Sequence, residues 1–220
     1  MSDTDNRELT PLYFRLLVFL IRPFPNFDLF WARSLRQKAV RLLQLKPGHR
    51  VLDVGCGPGG SFPYLLDAVG LSGTIVGVEI SPEVATNARK RVEANRWSNV
   101  HVIVANAETA VLEGRFEALL MLGAPDAYAS PRALNNLLPH LADGARVVAF
   151  GAKLSRGRMR KILSVLFRAA FSRLTFASTP ALDYEPWARL AERVPGLQVE
   201  ELFFGWLFFA WGSIRTSKSL

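Results

Sequence analysis

Val51-Leu52-Asp53-Val54-Gly55-Cys56-Gly57-Pro58-Gly59-Gly60 decides how this chain folds. A short apolar strand carries an acidic residue, Asp53, near its end and runs directly into a glycine-rich turn. The stretch from Ser61 to Val69 can then start a helix. Strand, glycine turn and helix in that order make a nucleoside-cofactor site, because the glycines permit positive φ and close backbone approach.

The spacing Gly55-x-Gly57-x-x-Gly60 also matches the dinucleotide fingerprint. Two features argue against a dinucleotide. A pyrophosphate needs free backbone N–H groups and no nearby anion. Pro58 removes one N–H from the turn, and Asp53 brings a carboxylate beside it. Two charges about 4 Å apart interact by roughly 4 kcal/mol at an effective dielectric of 20, which is enough to choose between ligands. A cationic α-amino group turns that repulsion into attraction, and S-adenosylmethionine (SAM) carries one at the end opposite its ribose. The bland alternative is a tight strand–helix turn that binds nothing.

The following segments extend the same site. A second strand, 74–80, ends Gly77-Val78-Glu79-Ile80. A carboxylate at this strand end is placed to read ribose hydroxyls. Ser81-Pro82-Glu83 supplies an N-cap, a first-turn proline and a favourable dipole charge for a helix over 82–95. A third strand, 100–105, leads to Asn106-Ala107, an amide and a small residue suited to an adenine edge.

These motifs resemble the class I SAM-dependent methyltransferases, in particular the ubiquinone/menaquinone-biosynthesis and small-molecule enzymes. The specific likeness runs from about Leu45 to Phe150. The resemblance implies that Asp53 lies near the methionine amine and that Gly55, Cys56, Gly57 and Gly59 line the methionine. It also implies that Glu79 holds the ribose with Ile80 beside it, and that Asn106 and Ala107 flank adenine. Asn106 stands where many relatives carry Asp, and its carbonyl oxygen can still accept from the adenine amine. Leu119 to Asp126 also resembles the protein-repair (isoaspartyl) methyltransferases, although their N-terminal substrate segment is not visible.

Alternation of strands and helices predicts an α/β fold: a doubly wound, mostly parallel seven-stranded sheet with helices on both faces and a terminal antiparallel strand. Around the segments already named fall a helix over 35–45 and a fourth strand over 116–122. Ser130-Pro131 caps a helix running to about Leu141, and an Asp143-Gly144 turn leads to a strand over 145–151. A helix over 183–192 and a strand pair, 197–204 and 207–214, close the chain. At 220 residues this is one domain, with a single cysteine and three histidines that give neither a disulfide framework nor metal-ligand spacing. The expected compartment is the cytoplasm.

Two segments lie outside the sheet scheme. Leu12 to Trp31, within an apolar helical stretch over 11–45, is interrupted by Arg15, Arg22, Pro23 and Pro25. It is too short and broken for a membrane span, and it lacks the pattern of a signal peptide. It reads either as a helix packed on the sheet or as an apolar lid or membrane-facing anchor. Lys153 to Phe176 is a basic amphipathic helix, with Arg156, Arg158, Arg160, Lys161, Arg168 and Arg173 beside an apolar stripe. Eight of the 27 Lys and Arg fall between Gly144 and Leu182 with no acidic residue, leaving 19 against 19 elsewhere. This pattern suits an anionic membrane surface, with each cation worth about 1 kcal/mol. The alternatives are packing on its own domain, or nucleic acid, which the bulky apolar residues disfavour.

Methyl transfer from a sulfonium needs alignment more than a base. Weak candidates for a base are Asp126 and Tyr128 at the fourth-strand exit, and Tyr184; His140 reads as a packing residue. The expected activity is methyl transfer to an apolar small molecule such as a lipid or quinone precursor. The alternatives are a nucleic-acid or protein methyltransferase, or a SAM-binding accessory protein without turnover.

Overall fold

A computed structural model describes residues 30–154 and 184–214. The apolar segment before Phe30 and the basic helix over 155–176 lie outside the described residues. Helix α1 (Phe30–Leu43) leads into β1 (Arg50–Val54), α2 (Phe62–Val69), β2 (Thr74–Glu79), α3 (Pro82–Ala94) and β3 (Val100–Val104). The chain continues through β4 (Phe116–Leu122), the single turn α4 (Pro125–Tyr128), α5 (Pro131–Leu137) and β5 (Leu141–Ala152). After the basic segment come α6 (Ala188–Ala191), β6 (Gln198–Leu202) and β7 (Leu207–Ser213).

The strands form one seven-stranded sheet in the order β3-β2-β1-β4-β5-β7-β6. Strands β1 to β5 pair in parallel, and β7 is antiparallel to both β5 and β6. The fold is therefore the expected one. Strand order reverses between β1 and β4, so the glycine turn after β1 opens at the topological switch point.

Alternation along each strand divides the apolar residues between two faces. Val51 of β1, Ala118 and Leu120 of β4, and Val148 and Phe150 of β5 join Ala39 and Leu43 of α1 and Phe62 and Leu65 of α2. Leu52, Leu119, Met121, Val147 and Ala149 join Tyr128, Leu134, Leu190 and Phe208 on the opposite side. Phe62 has no exposed surface, a burial worth about 2–3 kcal/mol. Its ring lies under the glycine turn, where a Cβ on Gly59 would meet it at 2.6 Å. Core packing thus fixes the start of α2 against the site.

Several element boundaries differ from expectation: α1 runs over Phe30–Leu43 rather than 35–45, and β6 ends at Leu202, short of 204, because Phe203–Gly205 forms a 3-10 turn. The helix after Ser130 ends at Leu137, and Leu138–His140 forms a 3-10 turn. Pro139 explains this, because it supplies no N–H and disfavours a helical residue before it. The Asp143-Gly144 turn is instead part of β5. Phe116 pairs with Leu141 and Ala118 with Arg146, so the strand bulges between them. Gly144 (φ 75°) donates its N–H to the Ile214 carbonyl at 2.9 Å, which satisfies the backbone that a turn would have exposed. Near the C-terminus the described helix is one turn, Ala188–Ala191, shorter than 183–192.

Candidate active site

Asp53 is the penultimate residue of β1, in register with Gly77 of β2 and Leu120 of β4. It is 1% exposed, and its Oδ2 has no hydrogen-bond partner. Burial pushes its carboxyl from the ordinary 3.8 up to about 7; the Arg36 guanidinium opposes the rise and the Glu79 carboxylate adds to it. Burying an ionisable group without a partner is costly, so this oxygen awaits a donor.

Glu79 closes the other side of the turn. Its Oε2 accepts from the Gly57 N–H and its Oε1 from the Ser81 N–H, both at 3.0 Å. Each carboxylate oxygen retains a lone pair, so the side chain is fixed yet able to accept hydroxyls. Ile80, next along, is an exposed large apolar residue, ready to cover a flat ring. Two buried carboxylates on neighbouring strands make the site repel a pyrophosphate and favour a cation.

The glycines have separate tasks. Gly55 has φ 70°, and a Cβ there would stand 2.6 Å from the Ala124 Cβ, so the turns after β1 and β4 touch. Gly57 and Gly59 also have positive φ (56° and 78°). Gly60 does not, yet a Cβ on it would meet the Arg36 guanidinium at 2.6 Å. Cys56 is buried, with its thiol against the Gly77 position. Burial, then Asp53 and Glu79, raise its pKa and keep the thiol neutral, as befits a packing residue.

The end of β3 is tied to the same place, since the Ala105 N–H donates to the Glu79 carbonyl at 3.0 Å. Asn106 is exposed there, and its Oδ1 accepts from the Glu108 N–H at 2.9 Å. One lone pair expected for adenine is thus engaged within the turn, leaving the second. Ala107 is held by Asn136, whose amide donates to the carbonyls of Ala107 and Ala110. The structure therefore brings Asp53, Gly55, Cys56, Gly57, Gly59, Glu79, Ile80, Asn106 and Ala107 to one end of the sheet.

The candidate bases do not form a set. Tyr128 is 1% exposed, packs edge-on to Phe208, and overlies Gly151, where a Cβ would meet its hydroxyl at 2.1 Å. Burial, with a smaller contribution from Asp126, raises its pKa and holds the phenol neutral, so it is a core residue rather than a base. Asp126 is exposed in α4. Tyr184 is half-buried ahead of α6, and His140 half-buried in its 3-10 turn. The residue missed in the sequence is Arg36. Its signal was present: it lies one turn before Ala39 on the helix face that buries Ala39 and Leu43, an unusual place for a cation. Among the described residues no three His, Cys, Asp or Glu could hold a metal together.

Comparison with known proteins gives the family and the fold. The family model described as Protein-L-isoaspartate(D-aspartate) O-methyltransferase (PCMT) matches residues 30–155. A demethylmenaquinone methyltransferase of Bacillus cereus (strain ATCC 10987 / NRS 248) is 32% identical over 75 residues, 34% of this chain and 32% of the relative. The chain spans only 34%, 32% and 56% of the length of the first three curated relatives it matches. Among solved structures, a SAM-dependent methyltransferase from Aquifex aeolicus aligns with a TM-score of 0.61 at 19% identity, covering 94% of this chain and 100% of that one. Geranyl diphosphate C-methyltransferase from Streptomyces coelicolor A3(2) aligns at 0.68 and 14% identity, over 84% and 79% of the two chains. At these identities the two structures show a shared fold.

Proposed function

We propose that this chain, which belongs to the protein-L-isoaspartate(D-aspartate) O-methyltransferase family, transfers the methyl group of SAM to an apolar small molecule. The observation that carries the cofactor reading is the buried, unpartnered Asp53 Oδ2 at the switch point, with Glu79 fixed one strand away. Asp53 would accept the α-ammonium, Glu79 the ribose hydroxyls, and Ile80 would cover the adenine. SAM supplies an electrophilic methyl on a sulfonium, so the chain's own part is to align an acceptor and exclude water.

The apolar acceptor is supported by the far side of the same sheet end. The turn joining β6 to β7 carries Phe203 and Phe204, 58% and 75% exposed, at the end of the sheet where the glycine turn opens. Lys153 starts the basic segment there, its N–H donating to the Trp206 carbonyl at 2.9 Å. Exposed aromatics at this sheet end, in a chain whose sequence continues from Lys153 into a run of cations, suit a site that draws substrate from an anionic membrane surface. The similar demethylmenaquinone methyltransferase is named for an apolar substrate of this kind. We place the protein in the cytoplasm, in peripheral contact with the membrane.

The family match favours one other reading, methyl esterification of protein carboxyls. Transfer of labelled methyl from SAM into fractionated cell extract separates the two. Label in the organic-soluble fraction supports the proposal. Base-labile label in protein replaces it with the esterification reading, and no incorporation in any fraction points to SAM binding without turnover.

A further inference from the structure

Four described residues other than glycine have positive φ. Gln44 and Arg96 follow the ends of α1 and α3, where a left-handed residue is an ordinary way to stop a helix. The other two are consecutive, Phe203 (49°) and Phe204 (60°), in the turn that joins β6 to β7. Glycine or asparagine takes such a conformation at little cost, and a bulky side chain does not. Burial does not offset this cost. Phe203 is 58% and Phe204 75% exposed, and Phe204 lies edge-on to Trp206 with ring centroids 6.4 Å apart. The turn thus presents aromatic surface outward on a strained backbone, a combination that marks a functional position.

Three further observations say what that surface meets. Leu202 pairs with Leu207, and Leu207 with Ala152 at the end of β5, so the turn stands at the carboxyl end of the parallel strands, as the glycine turn does. The only acidic residues between Gln198 and Ile214 are Glu200 and Glu201, and each is closed by a lysine, Lys38 at 2.6 Å and Lys153. No uncompensated carboxylate of this hairpin therefore opposes an anionic surface. The sequence from Gly144 to Leu182 holds eight cations and no acid.

We propose that the Phe203–Phe204 turn enters the interfacial region of an anionic phospholipid leaflet and so sets the mouth of the site against the bilayer. The proposal rests on the membrane contact inferred above, which charge alone would also give. What the turn adds is apolar transfer, which salt does not screen, and a fixed orientation.

The test uses the full chain and vesicles of phosphatidylcholine with about 30% phosphatidylserine. Its one cysteine, Cys56, is buried, so a cysteine introduced at an exposed position takes an environment-sensitive fluorophore alone. Phe204→Cys reports the turn. Leu71→Cys, at a position 92% exposed before β2, reports the opposite end of the sheet. On vesicle binding the label at 204 should shift to the blue and be quenched by lipids brominated on the acyl chain. The label at 71 should do neither. In the unlabelled chain, Phe203→Asn with Phe204→Gly should weaken partitioning at least about tenfold, as expected for the loss of two inserted rings. The same pair should raise the urea midpoint, because both replacements relieve positive φ. If the bound chain leaves the label at 204 in water, or the double variant partitions as the wild type does, the proposal is overturned. A lowered midpoint would make the rings part of the fold and overturns it as well. A lipid-free dimer that the double variant dissociates would make the turn an interface between copies instead. Failure of the wild-type chain to bind vesicles at all would sink the membrane contact itself, and this proposal with it, and leave the cofactor reading untouched.

Discussion

Asp53 is expensive to keep where it is. Its pKa in the fold, about 7, stands above the ordinary 3.8, so between those values the native state binds a proton that the unfolded chain has released. Native stability must then fall as pH climbs through that window, and the full penalty, on the order of 4 kcal/mol, applies above pH 7. Asp53→Asn removes the charge and keeps the shape. Urea midpoints at pH 5 and pH 8 should therefore show a variant more stable than wild type, with the gain larger at pH 8. An equal difference at both values would mean that Asp53 ionises normally in the fold. The same residue predicts a linked binding profile. An ammonium ligand requires the ionised carboxylate, so wild-type affinity for S-adenosylhomocysteine should weaken below pH 7, by up to about tenfold per unit. The Asp53→Asn variant should bind weakly and without that slope. Binding of an ammonium thus offsets what Asp53 costs in stability, a trade expected where a group is retained for function.

Among the elements, β5 and α4 pack most tightly where Gly151 meets Tyr128. Gly151 lies under the Tyr128 hydroxyl, and a methyl group there would overlap it. Gly151→Ala should lower stability by about 1–3 kcal/mol, the usual cost of overpacking a close-packed core. Tyr128→Phe should restore part of the loss, and as a single change should retain methyl transfer, since the phenol is buried and neutral. A Tyr128→Phe variant that folds but has lost activity would return Tyr128 to the list of bases. Element by element, the sequence was most legible where one local pattern also satisfied the backbone. Ser81 and Ser130 cap α3 and α5 as their motifs require, their hydroxyls accepting from the N–H groups of Val84 and Ala133. Phe116–Leu122 is a strand at both ends as expected. Asp143-Gly144 misled because a distant carbonyl, that of Ile214, supplies the hydrogen bond a turn would have lacked. Pro139 was legible and should have ended α5 sooner. Asp53 and Glu79 were legible because their spacing within one strand–turn–strand unit is local. Arg36 was legible only as a cation on an otherwise buried helix face, because its meaning depends on a helix crossing to a turn some twenty residues away.

Across the whole molecule, the sequence enters its run of cations from Lys153, whose N–H meets the aromatic turn at the Trp206 carbonyl. Among the described residues no helix is long and apolar enough to cross a membrane. Surface attachment instead would depend on summed charge. Replacing Arg158, Arg160 and Lys161 by Glu removes three cations worth about 1 kcal/mol each, so vesicle partitioning should fall by at least about a hundredfold. Cosedimentation with vesicles containing phosphatidylserine measures this, and raised salt should weaken the wild type in parallel. Undiminished cosedimentation of the triple variant would remove the membrane from the proposal.

The last strand of the sheet carries a further consequence. Glu200 and Glu201 of β6 point to opposite faces, and each is closed by a lysine from a different element: Lys38 of α1 at 2.6 Å and Lys153 after β5. A second copy of the chain adding itself to β6 would have to seat its side chains against ion pairs on both faces of the strand. The two pairs that fasten this edge therefore also make it a poor template for aggregation.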